Sequence, residues 1–210
     1  MENTLPQQEP DRTFDRIFHP RAVGVIGVST KGNGFGSGIL DSLAAIGFSG
    51  SLYGVNPRGG EYKGRKLYRS ISEIPDTIDF AIIAVPAVQV PEALEQCRNM
   101  GVAGAEILSA GFSEADTGEG RELEDRVRQI AARGIRVVGP NCFGIYCPRS
   151  GLTLLPGPDL SRESGAVAFL SQSGGMSIDF AHIGNWMGVR FSKVVSFGNG
   201  ADLRETELLE

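Results

Sequence analysis

The residue types that hold anions are gathered in a few short stretches, and the longest follows the first strongly apolar run. Gly27-Val-Ser-Thr-Lys-Gly-Asn-Gly-Phe-Gly-Ser-Gly38 lies between that run, Ala22–Val28, and an apolar stripe at Ile39, Leu40, Leu43 and Ile46 with helical spacing. A glycine-rich loop between a strand and a helix cradles phosphate. Its glycines let the backbone approach the anion, and the helix that follows offers unpaired N–H groups and a favourable dipole. Here Gly27, Gly34 and Gly36 provide the approach. Ser29, Thr30 and Asn33 offer side-chain hydrogen bonds, and Lys31 offers a positive charge. The loop is longer than the dinucleotide pattern GxGxxG and lacks the Gly-Lys-Ser/Thr ending of a P-loop. A plain surface turn is the competing reading, and the strand–loop–helix context favours a ligand.

Four further stretches carry candidate chemistry. After the second apolar run, where a dinucleotide binder often presents an acid to ribose hydroxyls, this chain has Val55-Asn56-Pro57-Arg58. A cation there suits a 2′- or 3′-phosphorylated adenosine; a solvated arginine in a turn is the alternative. Val85 and Pro86 end the third run and read equally as an apolar wall or as a strand stop. In Gly139-Pro-Asn-Cys-Phe-Gly144, Asn141 and Cys142 fall on the carboxyl edge of the expected sheet. Cys142 reads more readily as a small buried thiol than as a reactive one. Ser171-Gln-Ser-Gly-Gly175 repeats the first loop's logic, with Ser171, Ser173, Gly174 and Gly175 forming a second anion site. It is not a nucleophile elbow, because no glycine stands two residues before Ser173. The two histidines are badly placed to act as its base: His19 precedes the first strand and His182 falls inside the helix after the turn.

The elements that must position these residues follow from the apolar pattern. Short Val/Ile-rich runs at 22–28, 51–55, 79–85, 104–110 and 135–138 predict strands buried on both faces. Helical patterns at 39–46, 89–100 and 121–133 alternate with them. That alternation predicts a doubly wound parallel α/β sheet of Rossmann type over 14–146, after a disordered lead-in at 1–13. A Pro/Gly/Ser-rich link at 147–165 leads to a second α/β unit: a strand at 166–170, a helix at 176–187, a strand at 191–197 and the start of a helix at 203–210. Two strands do not make a stable layer. The second unit is therefore expected to be incomplete within 166–210, to expose apolar surface and to favour self-association.

Composition narrows the class of function. The net charge is -5 and no basic stripe is present, which argues against nucleic acid and anionic membranes as partners. No apolar run approaches 18 residues, and the polar N-terminus lacks a signal core. Three cysteines without a CxxC pair argue against a disulfide framework and a zinc site, so a cytoplasmic setting is expected.

Taken in order, GVIGVS…GFGSGIL, YGVNPRGGEYKG, AIIAVPA, EILSAGFSE, GPNCFGI, FLSQSGGM and VSFGNGADL resemble the NDP-forming acyl-CoA synthetase superfamily over residues 14–210. The likeness is stronger to the ADP-forming acyl-CoA synthetases than to the succinyl-CoA synthetase α subunit. It implies a CoA-binding first domain and a flavodoxin-like second one. Ser29 to Gly36 would hold CoA phosphates, Arg58 the adenosine phosphate, Val85 and Pro86 the length of the cofactor, and Asn141 and Cys142 its thiol end. The SQSGG turn would hold the phosphate of a phosphohistidine. The family converts acid, CoA and ATP to acyl-CoA, ADP and phosphate. By the resemblance, the phosphorylated histidine lies beyond residue 210, and ATP or ADP belongs to an ATP-grasp domain or β subunit outside this chain. His182 matches no family nucleophile. The expectation is CoA binding without turnover by these residues alone. A non-catalytic CoA sensor, the regulatory part of a protein acetyltransferase and an NADP-type Rossmann binder are the alternatives.

Overall fold

A computed structural model of the chain describes residues 12–153 and 160–209. The chain opens with α1 (Arg12–Phe18), so Arg12 and Thr13 belong to a helix rather than to a lead-in. Residues 1–11, and 154–159 of the link, lie outside the described residues. Then follow β1 (Ala22–Ile26), α2 (Phe35–Ala45), β2 (Ser51–Val55), β3 (Gly60–Tyr62), β4 (Arg65–Tyr68), β5 (Phe80–Ile83), α3 (Val90–Asn99), β6 (Gly104–Ile107), α4 (Gly118–Ala131) and β7 (Arg136–Val138). Seven strands form one sheet in the order β3-β4-β2-β1-β5-β6-β7. All neighbouring pairs are parallel except β3 with β4. Without β3, this is the order of a Rossmann sheet, and the order reverses between β1 and β5.

The buried strands are those whose composition announced them: every residue of β1, β5 and β6 is buried. One face packs on α3 and α4 through Ile83, Leu94, Ile107 and Val127. The other packs on α1 and α2 through Ile17, Val25, Leu43 and Phe80. The β3–β4 hairpin was not expected. Its strands are too short to show a period, and its two-residue turn, Lys63-Gly64, takes positive φ at both positions (49° and 78°), as a twisted hairpin requires.

A second sheet has the order β8-β10-β9, built from β8 (Gly144–Tyr146), β9 (Val167–Ser171) and β10 (Phe191–Ser196). Segment 144–146, at the end of the expected first unit, pairs antiparallel with β10. α5 (Gly174–Trp186) follows β9, and α6 (Glu205–Leu209) closes the described chain. The second sheet packs on the α2 side of the first, where Ile145, Val195 and Phe197 join the cluster around Leu40 and Phe80. α5 leaves Met176, Phe180, Ile183 and Trp186 exposed, and Met187 just after it is exposed too.

Candidate ligand cleft

The carboxyl ends of β1 and β5 flank the point of strand-order reversal, and their loops touch. Gly27 has φ 105°, and a Cβ on it would lie 2.4 Å from the Ala84 carbonyl oxygen. Gly36 is not a loop residue, as the sequence reading had it. It sits in the first turn of α2, where a Cβ would lie 2.5 Å from the Gly27 carbonyl oxygen. The glycine therefore lets the helix close on the strand. Ser37, which the sequence reading passed over, locks the loop: its hydroxyl accepts from Ser29 N (2.9 Å) and donates to Ser29 O (3.1 Å). Ser29 Oγ in turn accepts from Lys31 N. Thr30, Lys31, Asn33 and Gly34 face solvent.

Asn56 is tied to the backbone on both sides. Its Nδ2 donates to Val28 O (2.7 Å) and its Oδ1 accepts from Arg58 N (2.8 Å), which clamps the turn after β2 onto the glycine loop. The side chain of Arg58 is exposed. The hairpin walls the loop's far side, since a Cβ on Gly32 would lie 3.2 Å from the Tyr62 ring.

A cleft of about 860 Å³ opens next to this loop, between the carboxyl edge of the large sheet and the N-terminus of α5. It brings together Val85, Pro86, Asn141, Cys142, Ser173, Gly174 and Gly175. Phe35, Ile39 and Ser42 of α2 and Leu108 to Ala110 after β6 complete much of its wall. Gly27, Ser29, Thr30, Lys31, Asn33, Gly34, Gly36, Asn56, Arg58 and Ser171 lie outside that wall. Among the described residues, no Asp, Glu, His, Lys or Arg lines it.

The turn after β7 is held from several sides. Asn141 has φ 57°, donates its N–H to Ser109 O (3.0 Å) and faces Asn199 through its side chain. Cys142 is 5% exposed, and its Sγ donates to Ile107 O at 3.3 Å. Burial, with a further push from the Glu106 carboxyl, raises the thiol well above its ordinary pKa. This is the buried thiol of the simpler reading. Cys97 is likewise buried, and burial pushes it up to about 12. Glu106 carried no sequence signal beyond being a charge inside an apolar run. It is fully buried in β6: Oε2 accepts from Ile145 N (3.1 Å), and Oε1 has no partner among the described residues.

At the cleft's other side, Ser173 caps α5. Its Oγ accepts from Met176 N (3.3 Å), and its own N–H donates to Ser171 Oγ (3.0 Å). The two hydroxyls thus shape the turn, and Gly174 and Gly175 open the helix, where N–H groups have no partner within it. The Phe143 ring covers Gly174, whose Cβ position is 2.2 Å from Phe143 Cδ2. His182 lies mid-helix, outside the cleft wall. Among the described residues no group of three His, Cys, Asp or Glu could hold a metal ion, and no helix is long and apolar enough to cross a membrane.

The carboxyl edge is therefore graded: cationic after β2, glycine-rich after β1, apolar after β5 and β6, and closed by a helix N-terminus. That surface suits an elongated ligand with an anionic end and an apolar arm. Among the described residues, the buried Cys142 thiol is the sole ionisable side chain in that wall.

Comparison with known proteins agrees with this geometry. The family described as CoA binding domain matches residues 21–148, and that described as succinyl-CoA ligase like flavodoxin domain matches 164–210. An ADP-forming acetate–CoA ligase of Archaeoglobus fulgidus is 42% identical over 198 residues, which cover 94% of this chain and 28% of that protein. The α subunit of an ADP-forming acetate–CoA ligase of Pyrococcus furiosus is 38% identical, with 94% of this chain and 44% of that subunit covered. In structure, the dinucleotide-forming acetyl-coenzyme A synthetase 1 of Ca. Korarchaeum cryptofilum, solved with phosphate and ADP, superposes with a TM-score of 0.83 at 37% identity, over 93% of this chain and 42% of that one. The chain thus spans less than half the length of these relatives.

Proposed function

The chain belongs to the CoA binding domain family, and from that membership we propose that it is the CoA-binding portion of an ADP-forming acyl-CoA synthetase. The observation that carries the reading is the uncharged cleft joined to a glycine loop on one sheet edge. Its volume lies within the roughly 300–1,000 Å³ of small-molecule sites. Gly27 to Gly34 and Arg58 would take the phosphates, Val85 and Pro86 the pantetheine arm, and Asn141 the region of the thiol. Cys142 would contribute shape rather than a thiolate. Ser173, Gly174 and Gly175 would present helix N–H groups to a phosphoryl group arriving at the thiol end. An ATP-grasp domain or β subunit would supply the ATP step, and the exposed stripe on α5 favours contact with such a partner or with a second copy of the chain.

The test is calorimetric titration of the chain with CoA, dephospho-CoA and NADP. CoA binds, and more tightly than dephospho-CoA. Binding of NADP without CoA would sink the reading.

A further inference from the structure

The cationic end of the carboxyl edge holds a residue that the motifs did not single out. Arg69 follows β4 directly, and β4 runs parallel to β2, so Arg69 leaves the sheet on the same edge as Arg58. Its side chain lies along the turn after β2: a Cβ on Gly59 would sit 3.4 Å from Arg69 Cγ and 3.7 Å from its Nε. Gly59 is the residue next to Arg58, and the Asn56 clamp holds this turn at the head of the glycine loop. The Arg69 N–H donates to Glu73 Oε2. Among the described residues, however, neither the Arg69 nor the Arg58 guanidinium forms an ion pair, and both side chains are exposed. The chain has 25 carboxylates against 20 basic residues, so two unpaired arginines at one turn are not a shortage of partners. They make a local positive field that an arriving anion relieves.

We propose that Arg69 is a second cation for the 3′-phosphate and that, with Arg58, it sets the preference for CoA over dephospho-CoA. This rests on the CoA reading above. A phosphate monoester carries about 1.5–2 negative charges at pH 7 and three acceptor oxygens. A single guanidinium leaves part of that charge unmatched, whereas the forked donors of a second arginine meet it. Dephospho-CoA lacks only this group, so a contact made to it must appear in one ligand and vanish in the other.

The experiment is calorimetry of the full chain with both ligands, comparing the wild type with Arg69→Gln and Arg69→Lys. The expected result is CoA affinity lowered about tenfold by Arg69→Gln and by less with Arg69→Lys, at unchanged dephospho-CoA affinity. The CoA advantage of the wild type should shrink as salt rises. Equal losses for both ligands in Arg69→Gln, or none for CoA, would overturn the assignment. A wild type that binds the two ligands equally also overturns it, while leaving the CoA reading intact. A wild type that binds neither ligand brings down that reading and the assignment together.

Discussion

Glu106 sits in the middle of β6 with no access to water, and only one of its carboxyl oxygens has a partner. Burial pushes its pKa well up, and the single N–H from Ile145 pulls it only partly back. The folded protein therefore keeps the proton that the unfolded chain releases above about pH 4.3. The stability this residue contributes is full below that pH and is lost as pH rises towards the folded pKa, by up to about 1.4 kcal/mol per pH unit. Glu106→Gln keeps an acceptor for Ile145 N and abolishes the titration. Urea unfolding at pH 5, 6 and 7 should show the variant gaining steadily on the wild type. Parallel profiles would mean that Glu106 is ionised in the fold. At this scale the sequence was readable where a residue acts through its backbone or its size, as at Gly27 and Cys142. It did not show the backbone partners of Asn56 and was silent at Ser37 and Glu106, because a polar side chain's partner is chosen by what folds against it.

At the scale of elements, α2 is where the glycine loop becomes a site. The helix approaches β1 so closely that Gly36 has room for a hydrogen and nothing larger. The opposing atom is a backbone carbonyl, which cannot swing away as a side chain would. Gly36→Ala should cost about 1–3 kcal/mol of stability and weaken CoA binding more than dose-matched unfolding explains. The exposed Gly118→Ala, at the start of α4 with nothing within 4 Å of its Cβ and away from the cleft, should do neither. A melting temperature equal to that of the wild type in Gly36→Ala would refute the close approach. The long buried strands and the helices were legible from period and composition. The β3–β4 hairpin was not, since three- and four-residue strands carry no period, although Lys63-Gly64 between Tyr62 and Leu67 is a turn signal of the right kind.

Across the whole molecule, segment 199–203 ties the second unit to the first. Asn199 N donates to Pro140 O, Ala201 N to Gly139 O and Leu203 N to Val137 O, so the segment covers the free edge of β7. Asp202 accepts from Arg136 Nε (2.9 Å) and Val137 N (2.8 Å). Asn199 Nδ2 reaches the buried Glu124 at 2.7 Å. Asp202→Ala should cost about 1–3 kcal/mol in urea unfolding, because it strips a half-buried N–H and guanidinium of their acceptor. Glu163→Ala, which removes an exposed partner of Arg190, should cost less than about 1 kcal/mol. Equal costs would mean that the Asp202 contacts do not hold the units together.

The strand–helix alternation, the glycine loop, the SQSGG turn and the likeness to the acyl-CoA synthetases were all present in the amino-acid order. Hydrophobic period, glycine placement and motif order are local properties of the chain. The cleft, the pairing of segment 144–146 with the second sheet, the neighbourhood of Arg69 and Arg58, and the backbone partners of Ser37 and Asn56 were decided by the tertiary structure. Each of these depends on which residues, far apart in the chain, share a sheet edge, and one-dimensional spacing does not contain that distance.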